Sequence, residues 1–151
     1  MPERVHDTLA LEGGSVYVGE VLGGVPDGVG EMVYGSGNVI SSAKGSFKNG
    51  QLEGRGEIVY KNGDKYEGQV RAGRREGPGK QTFASGDVYS GRFRMDKIYG
   101  QGKFESVDGS TYDGAWRYGK REGRGKAVAA DGTVREGTWK ADAFVDGESS
   151  S

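Results

Sequence analysis

The sequence predicts an all-β fold: an elongated, single-layer, twisted antiparallel sheet of consecutive β-hairpins, solenoid-like in its repetition. Three observations predict it. A 23-residue unit recurs along almost the whole chain, glycine fills 30 of 151 positions, and within each unit large apolar residues and glycines alternate with polar ones. Glycine normally supplies about 7% of residues, and each interior glycine costs a helix about 1 kcal/mol relative to alanine, so several per unit exclude helices. Alternation with a period of two marks a strand with one covered face and one wet face.

The repeat shows when YEGQVRAGRREGPGKQTFASGDV (66–88), YSGRFRMDKIYGQGKFESVDGST (89–111) and YDGAWRYGKREGRGKAVAADGTV (112–134) are stacked without a gap. Further units start at Ala43 and, with three extra residues, at Tyr17, and a partial unit starts at Arg135. Counting each unit from zero, glycine falls at offsets 2, 11, 13 and 20, and offset 4 carries Val21, Phe47, Val70, Phe93, Trp116 and Trp139. Offset 17 carries Tyr34, Tyr60 and Phe83 but then Ser106 and Ala129, with Phe104 at offset 15 substituting in the unit of Ser106.

Taken in order, residues 1–7 are expected to be a flexible N-terminus and 8–14 a capping strand, its Leu9 and Leu11 at offsets 15 and 17 of a half unit. The array runs over 8–147, with units from about 17, 43, 66, 89, 112 and 135 and a disordered tail at 148–151. Each unit is expected to be a hairpin with a strand at offsets 0–5, a turn near 6–10 and a return strand at 11–17. Offsets 0, 2 and 4 then share a face with 11, 13, 15 and 17, so a ring covers the bare backbone of a glycine on the paired strand. The other face, Glu67, Gln69, Arg71, Pro78, Lys80 and Thr82 in the unit of Tyr66, is wet. Hairpins join at Ser36-Gly37, Asn62-Gly63, Ser85-Gly86, Asp108-Gly109 and Asp131-Gly132, dipeptides suited to tight turns.

Composition narrows the function classes. Lysine and arginine (21) balance aspartate and glutamate (22), so no net basic field points to nucleic acid. The absence of cysteine excludes disulfides and thiolate metal ligands, and the start MPERVHDTLALEGG lacks the apolar core of a signal peptide, which makes a cytoplasmic location the expectation. No run of about 18 apolar residues is present to span a membrane. At 33% hydrophobic residues, a thick two-layer core is not expected.

With Tyr-x-Gly opening a unit, Gly-x-Gly at offsets 11 and 13 and Asp/Asn/Ser-Gly near offset 20, the chain resembles MORN repeats, the "membrane occupation and recognition nexus", over about residues 8–147. It departs from the pattern where Ala43 and Arg135 replace tyrosine and where Asp96 and Asp142 replace glycine at offset 7, so those units are expected to be looser or bent. The resemblance implies an elongated twisted sheet with a shallow aromatic groove and a scaffolding role, in settings such as ciliary axonemes and radial spokes, division rings, myosin-tail adaptors and membrane junctions. Where such repeats accompany an enzyme, catalysis belongs to a separate domain, and no stretch of this sequence is left over for one.

The candidate sites follow. His6 is the single histidine, which leaves catalysis without a titratable pair. The run Gly114–Arg121 imitates a phosphate-binding loop, but it lacks the final Ser/Thr, and its glycines belong to the repeat. Acidic turn residues such as Asp108 and Asp113 lack calcium-loop spacing, so neither metal nor cofactor is expected. The expected partner site is the ring face: Tyr66, Tyr89, Phe93, Tyr112, Trp116 and Trp139, with Phe47 and Phe83, as a partly exposed stripe taking a peptide, helix or loop. Taken singly, each ring also fits plain packing on a neighbouring hairpin. A second candidate is a basic turn edge of Arg74, Arg75, Lys97, Lys120, Arg121 and Arg124 for anionic lipid or acidic protein tails, interrupted by Glu53, Glu76 and Glu122. Open edges at the end strands also invite self-association. The leading reading is a non-enzymatic scaffold or adaptor in a cytoskeletal assembly, ciliary or flagellar by family analogy; the alternative is a peripheral membrane module.

Overall fold

The computed structural model describes residues 3–147, which are all β apart from a short 3-10 turn at Glu12–Gly14. They form two compact units that divide between Arg74 and Arg75. The first contains β1 (Val5–Ala10), β2 (Val16–Leu22), β3 (Val25–Val33), β4 (Ile40–Lys48), β5 (Gln51–Tyr60) and β6 (Lys65–Arg71). The second contains β7 (Arg74–Thr82), β8 (Val88–Arg94), β9 (Lys97–Glu105), β10 (Thr111–Arg117), β11 (Lys120–Val128), β12 (Val134–Lys140) and β13 (Ala143–Gly147). Within each unit, strands consecutive in sequence are antiparallel neighbours, as the alternation requires.

Two boundaries differ from expectation. The first strand covers Val5–Ala10 rather than 8–14, because its ladder with β2 continues to Val5 opposite Val21. His6 therefore sits in a strand, opposite Glu20. The hairpin turns contract from five residues to two, such as Met95-Asp96 and Tyr118-Gly119, with Arg117 paired directly to Lys120. Both central residues take positive φ, 47° at Tyr118 and 84° at Gly119, the geometry that matches the twist of the flanking strands. The tail expected at 148–151 lies outside the described residues.

The glycines at the third and fourteenth positions of successive units stand opposite one another. They form unbroken rows, Gly19, Gly30, Gly45, Gly56 and Gly68 in the first unit and Gly79, Gly91, Gly102, Gly114, Gly125 and Gly137 in the second, where Gly147, at the thirteenth position of the partial unit, continues the row. On these rows lie the tyrosines that open each repeat. A Cβ added at Gly30, Gly102 or Gly125 would overlap the phenol of Tyr17, Tyr89 or Tyr112. Where Ala43 replaces the tyrosine, Leu52 reaches over Gly56 instead, so the site is filled rather than loose.

The same tyrosines close an irregularity in the ladder. After Gly114 the register shifts, and Glu122, Gly123 and Arg124 stand opposite Ala115 alone. Tyr112 Oη donates to the Ala115 carbonyl at 3.0 Å, and Tyr17, Tyr66 and Tyr89 donate to the carbonyls of Glu20, Gln69 and Arg92 at 2.7, 2.5 and 2.9 Å. Successive hairpins are also tied at their tips. The Gly50, Gly73 and Gly119 amides donate to the carbonyls of Pro26, Leu52 and Ile98 in the preceding hairpin at 3.0, 2.9 and 2.9 Å. Glu53, Glu76 and Glu122, which in sequence only interrupt a basic edge, accept the turn amides of Ala72, Met95 and Ala141 at 2.8, 2.8 and 2.7 Å.

Replacing Gly102 by alanine drives a methyl into the Tyr89 ring, an overpacking cost of about 1–3 kcal/mol. Thermal unfolding followed by circular dichroism should show Tm lowered by about 3–10 °C. Gly37→Ala, whose methyl would meet nothing within 4 Å, should leave Tm unchanged.

Candidate functional site

The rings expected to form a partly exposed stripe are buried. Tyr66, Tyr89, Phe93 and Phe47 expose 0–3% of their surface, Tyr112 and Trp139 4% and Trp116 8%. Phe83 is half-buried against Phe104, with ring centroids 5.8 Å apart. The cause is edge-on packing between repeats, which a reading of one hairpin at a time misses. Tyr17 meets Phe47 at 5.1 Å; Tyr89 meets Phe93 and Trp116 at 5.3 and 5.6 Å; Tyr112 meets Trp116 and Trp139 at 5.0 and 5.3 Å. Such T-shaped pairs add about 0.5–1.5 kcal/mol each beyond area burial. The indole N–H groups of Trp116 and Trp139 are satisfied by the Gly102 and Gly125 carbonyls, both at 3.0 Å.

The face opens in the second unit as a groove of about 940 Å³ whose walls include Phe104, Tyr112, Trp116, Trp139 and Phe144. Small side chains make it. Ser106 and Ala129 stand at the repeat position that Phe83 fills, and Ala127 stands where Gln81 is buried at 2% exposure. This break in the repeat is visible in sequence, but only the packed neighbours show that it leaves a groove.

The six basic residues do not form one edge. Arg74, Lys97 and Lys120 flank the hairpin turns, whereas exposed Arg124 pairs in register with Thr138 in mid-strand. Arg75 and Arg121 lie over aromatic rings. Arg75 binds Asp96 through Nε (2.8 Å to Oδ1) and Nη2 (2.6 Å to the carbonyl), with its guanidinium 5.2 Å from the Phe93 centroid. Arg121 repeats this with Asp142, at 3.2 and 2.7 Å, and stands 4.5 Å from the Trp139 centroid and 5.7 Å from that of Tyr112. The aspartates at the glycine position, expected to loosen their units, instead adopt φ of 70° and 73° and anchor these arginines. The pairing was legible, because each Arg stands 21 residues before an Asp, yet sequence reasoning passed over it. It also passed over Arg135 as a site residue. Arg135 takes the place of the opening tyrosine, is exposed, stands opposite Ala127 and lines the groove.

Burial pushes the Tyr89 phenol up to about 12 and raises those of Tyr17 and Tyr112, the last against the lowering effect of Arg121. The Asp108 and Asp131 carboxyls lie below the usual range because Ser110 and Thr133 hydrogen-bond them within their turns. Among the described residues no group of three His, Cys, Asp or Glu is placed to hold a metal, and no helix is long and apolar enough to cross a membrane. The run Gly114–Arg121 covers the end of β10, a two-residue turn and the start of β11, which is a hairpin and no phosphate-binding loop.

Rings laid on glycine rows, hairpin after hairpin on a 23-residue period, define an all-β repeat module of a non-catalytic type. The family model of the MORN repeat matches residues 17–39, 44–65, 66–88, 89–111 and 112–134, and the chain belongs to the MORN repeat family. MORN repeats mediate binding to proteins or membranes. A comparison with curated proteins finds no match.

The raised Tyr89 value sets an alkaline limit. The unfolded phenol loses its proton near the ordinary value of 10.0 and the folded one near 12, so this contribution to stability is complete below pH 10 and is lost as pH rises toward 12. Urea unfolding should show stability falling between about pH 10 and pH 12, and falling less in Tyr89→Phe.

Proposed function

We propose that this chain is a non-enzymatic scaffold or adaptor that seats a segment of a partner protein in the groove of its second unit. The observation that carries the reading is the groove itself, about 940 Å³ and lined by Tyr112, Trp116 and Trp139. Its size falls within the range of about 300–1,000 Å³ typical of ligand sites, and tyrosine and tryptophan are among the residues that most often dominate interface energy. Tyr66, Tyr89, Phe93, Phe47 and Phe83 serve the same function from beneath, as packing that holds the ladder in register. On the analogy of other MORN proteins we place the partner in a cytoskeletal assembly, ciliary or flagellar. The test uses wild type and Ala129→Trp as baits in native extract, with capture compared by mass spectrometry at low and high salt. Proteins seated in the groove are retained at high salt and lost by Ala129→Trp. Identical capture by both baits rejects the reading.

One observation favours a second reading, a peripheral contact with anionic membrane lipid. Met95 and Tyr118 expose 58% and 45% of their surface at hairpin tips, with φ of 49° and 47°, a region non-glycine residues rarely occupy. Beside them Arg94 stands directly opposite Lys97 and Arg117 directly opposite Lys120, like-charge pairs that disfavour the bare hairpin. Anionic headgroups relieve that repulsion while Met95 and Tyr118 enter the interface. Co-sedimentation with phosphatidylserine vesicles should be strong at low salt, collapse at high salt and weaken in Met95→Ser/Tyr118→Ser. Failure to sediment at low salt removes this reading.

A further inference from the structure

Two copies of one device stand in the second unit, and they differ at the residue six positions on, Gln81 in one and Ala127 in the other. Arg75 and Arg121 occupy equivalent repeat positions, and both use Nε and Nη2 to grip an aspartate of the next hairpin. Arg75 completes its set by donating from Nη1 to Gln81 Oε1 at 3.0 Å. The residue equivalent to Gln81 is Ala127, and Arg121 Nη1 has no hydrogen-bond acceptor among the described residues. The change that opens the groove therefore also leaves a guanidinium edge facing it, since both Arg121 and Ala127 line it.

A second guanidinium lines the same groove. Arg135 occupies a position where full repeats bury a tyrosine, so a second guanidinium lines the same walls, without an ion pair to any described residue. Two carboxylates line it as well, and each already accepts a hydrogen bond. Asp142 is held by Arg121, and Asp131 accepts the Thr133 amide at 2.9 Å in its turn. The groove thus presents apolar walls and guanidinium donors that no described residue uses, with Asp131 and Asp142 balancing the formal charge of Arg121 and Arg135.

We infer that the guest of this groove is a protein segment carrying a carboxylate side chain between apolar residues, the carboxylate taken by Arg121 Nη1 and Arg135 and the apolar neighbours by Trp116 and Phe144. The inference rests on the groove reading above and adds the chemistry of the guest. Guanidinium suits this role because an N–H donated by a cation to a carboxylate makes a charge-assisted hydrogen bond, roughly twice as strong as a neutral one. The grip of Asp142 and the stack on Trp139 pre-orient Arg121, which lowers the entropy cost of that contact.

The test pans displayed random peptides on the full chain and measures enriched sequences, as synthetic peptides, by fluorescence anisotropy. Enriched peptides should hold Asp or Glu between apolar residues. Changing that acid to its amide should weaken binding to wild type by about tenfold, the loss of one charge-assisted contact. The same change should matter far less against Ala127→Gln, which gives Arg121 the partner Arg75 already has, or against Arg135→Gln, so the cycle isolates the contact. Peptides that ignore the acid-to-amide change yet lose affinity for Ala129→Trp would overturn the carboxylate inference and leave the groove reading intact. Peptides that bind Ala129→Trp as well as wild type, or no enrichment at all, would overturn both. Acidic peptides insensitive to Ala127→Gln and Arg135→Gln but lost in Lys97→Gln/Lys120→Gln would move the guest to the hairpin tips and end the inference for the groove.

Discussion

The tyrosine lying on a glycine row is the interaction on which the rest of this structure depends. It does two jobs with one side chain. The ring covers a backbone that has no side chains of its own, and the phenol O–H caps the carbonyl at the point where the ladder skips, as Tyr89 does for Arg92 at 2.9 Å. Because the ring needs bare backbone beneath it, the glycines must pair across every strand, and this pairing locks the register of each hairpin to the next. A strand interior rich in glycine would ordinarily be weak; here the ring makes up the missing packing. The exception supports the logic, since the Ala43 unit lacks the ring and supplies Leu52 over Gly56 instead.

A consequence is that the consensus residues of the repeat are largely withdrawn from binding. Once Tyr89 touches both Phe93 and Trp116 edge-on, little of its surface remains for a guest, and its exposure is 0%. What faces outward on this side arises where the repeat is broken: Ser106 and Ala129 in place of a large residue, Ala127 in place of Gln81, Arg135 in place of tyrosine. In a chain of near-identical hairpins, departures are the means by which one stretch differs chemically from another.

Much of the fold was legible in the sequence because it is written in spacing. The 23-residue period, the two-residue alternation and the turn dipeptides specify hairpins, their order and which face holds the rings. Turn length was not legible: Met95-Asp96 has no glycine, and nothing local announces that both residues take positive φ. Ring burial was not legible either, because it depends on contacts such as Tyr112 to Trp139, between residues 27 positions apart, which require the register of successive hairpins. Of the candidate site, the identities of Tyr112, Trp116 and Trp139 were readable, but the groove beside them was not.

The pairing of Arg75 with Asp96 and of Arg121 with Asp142 places one device in two different surroundings. Elsewhere a glycine at that turn position gives its amide to the preceding hairpin, and Asp96 and Asp142 keep this bond at 3.0 Å while adding a carboxylate to orient the arginine. Orientation alone does not make a site. Beside Gln81 each nitrogen of the oriented guanidinium has a hydrogen-bond partner, and the same geometry stiffens the array. Beside Ala127 it keeps an unused donor at the wall of an open groove, so a single smaller side chain turns a strut into a receptor for charge. Arg135 adds to this because it brings a second guanidinium to the repeat position where Tyr112 covers Gly125 in the preceding unit, and it lines the same groove.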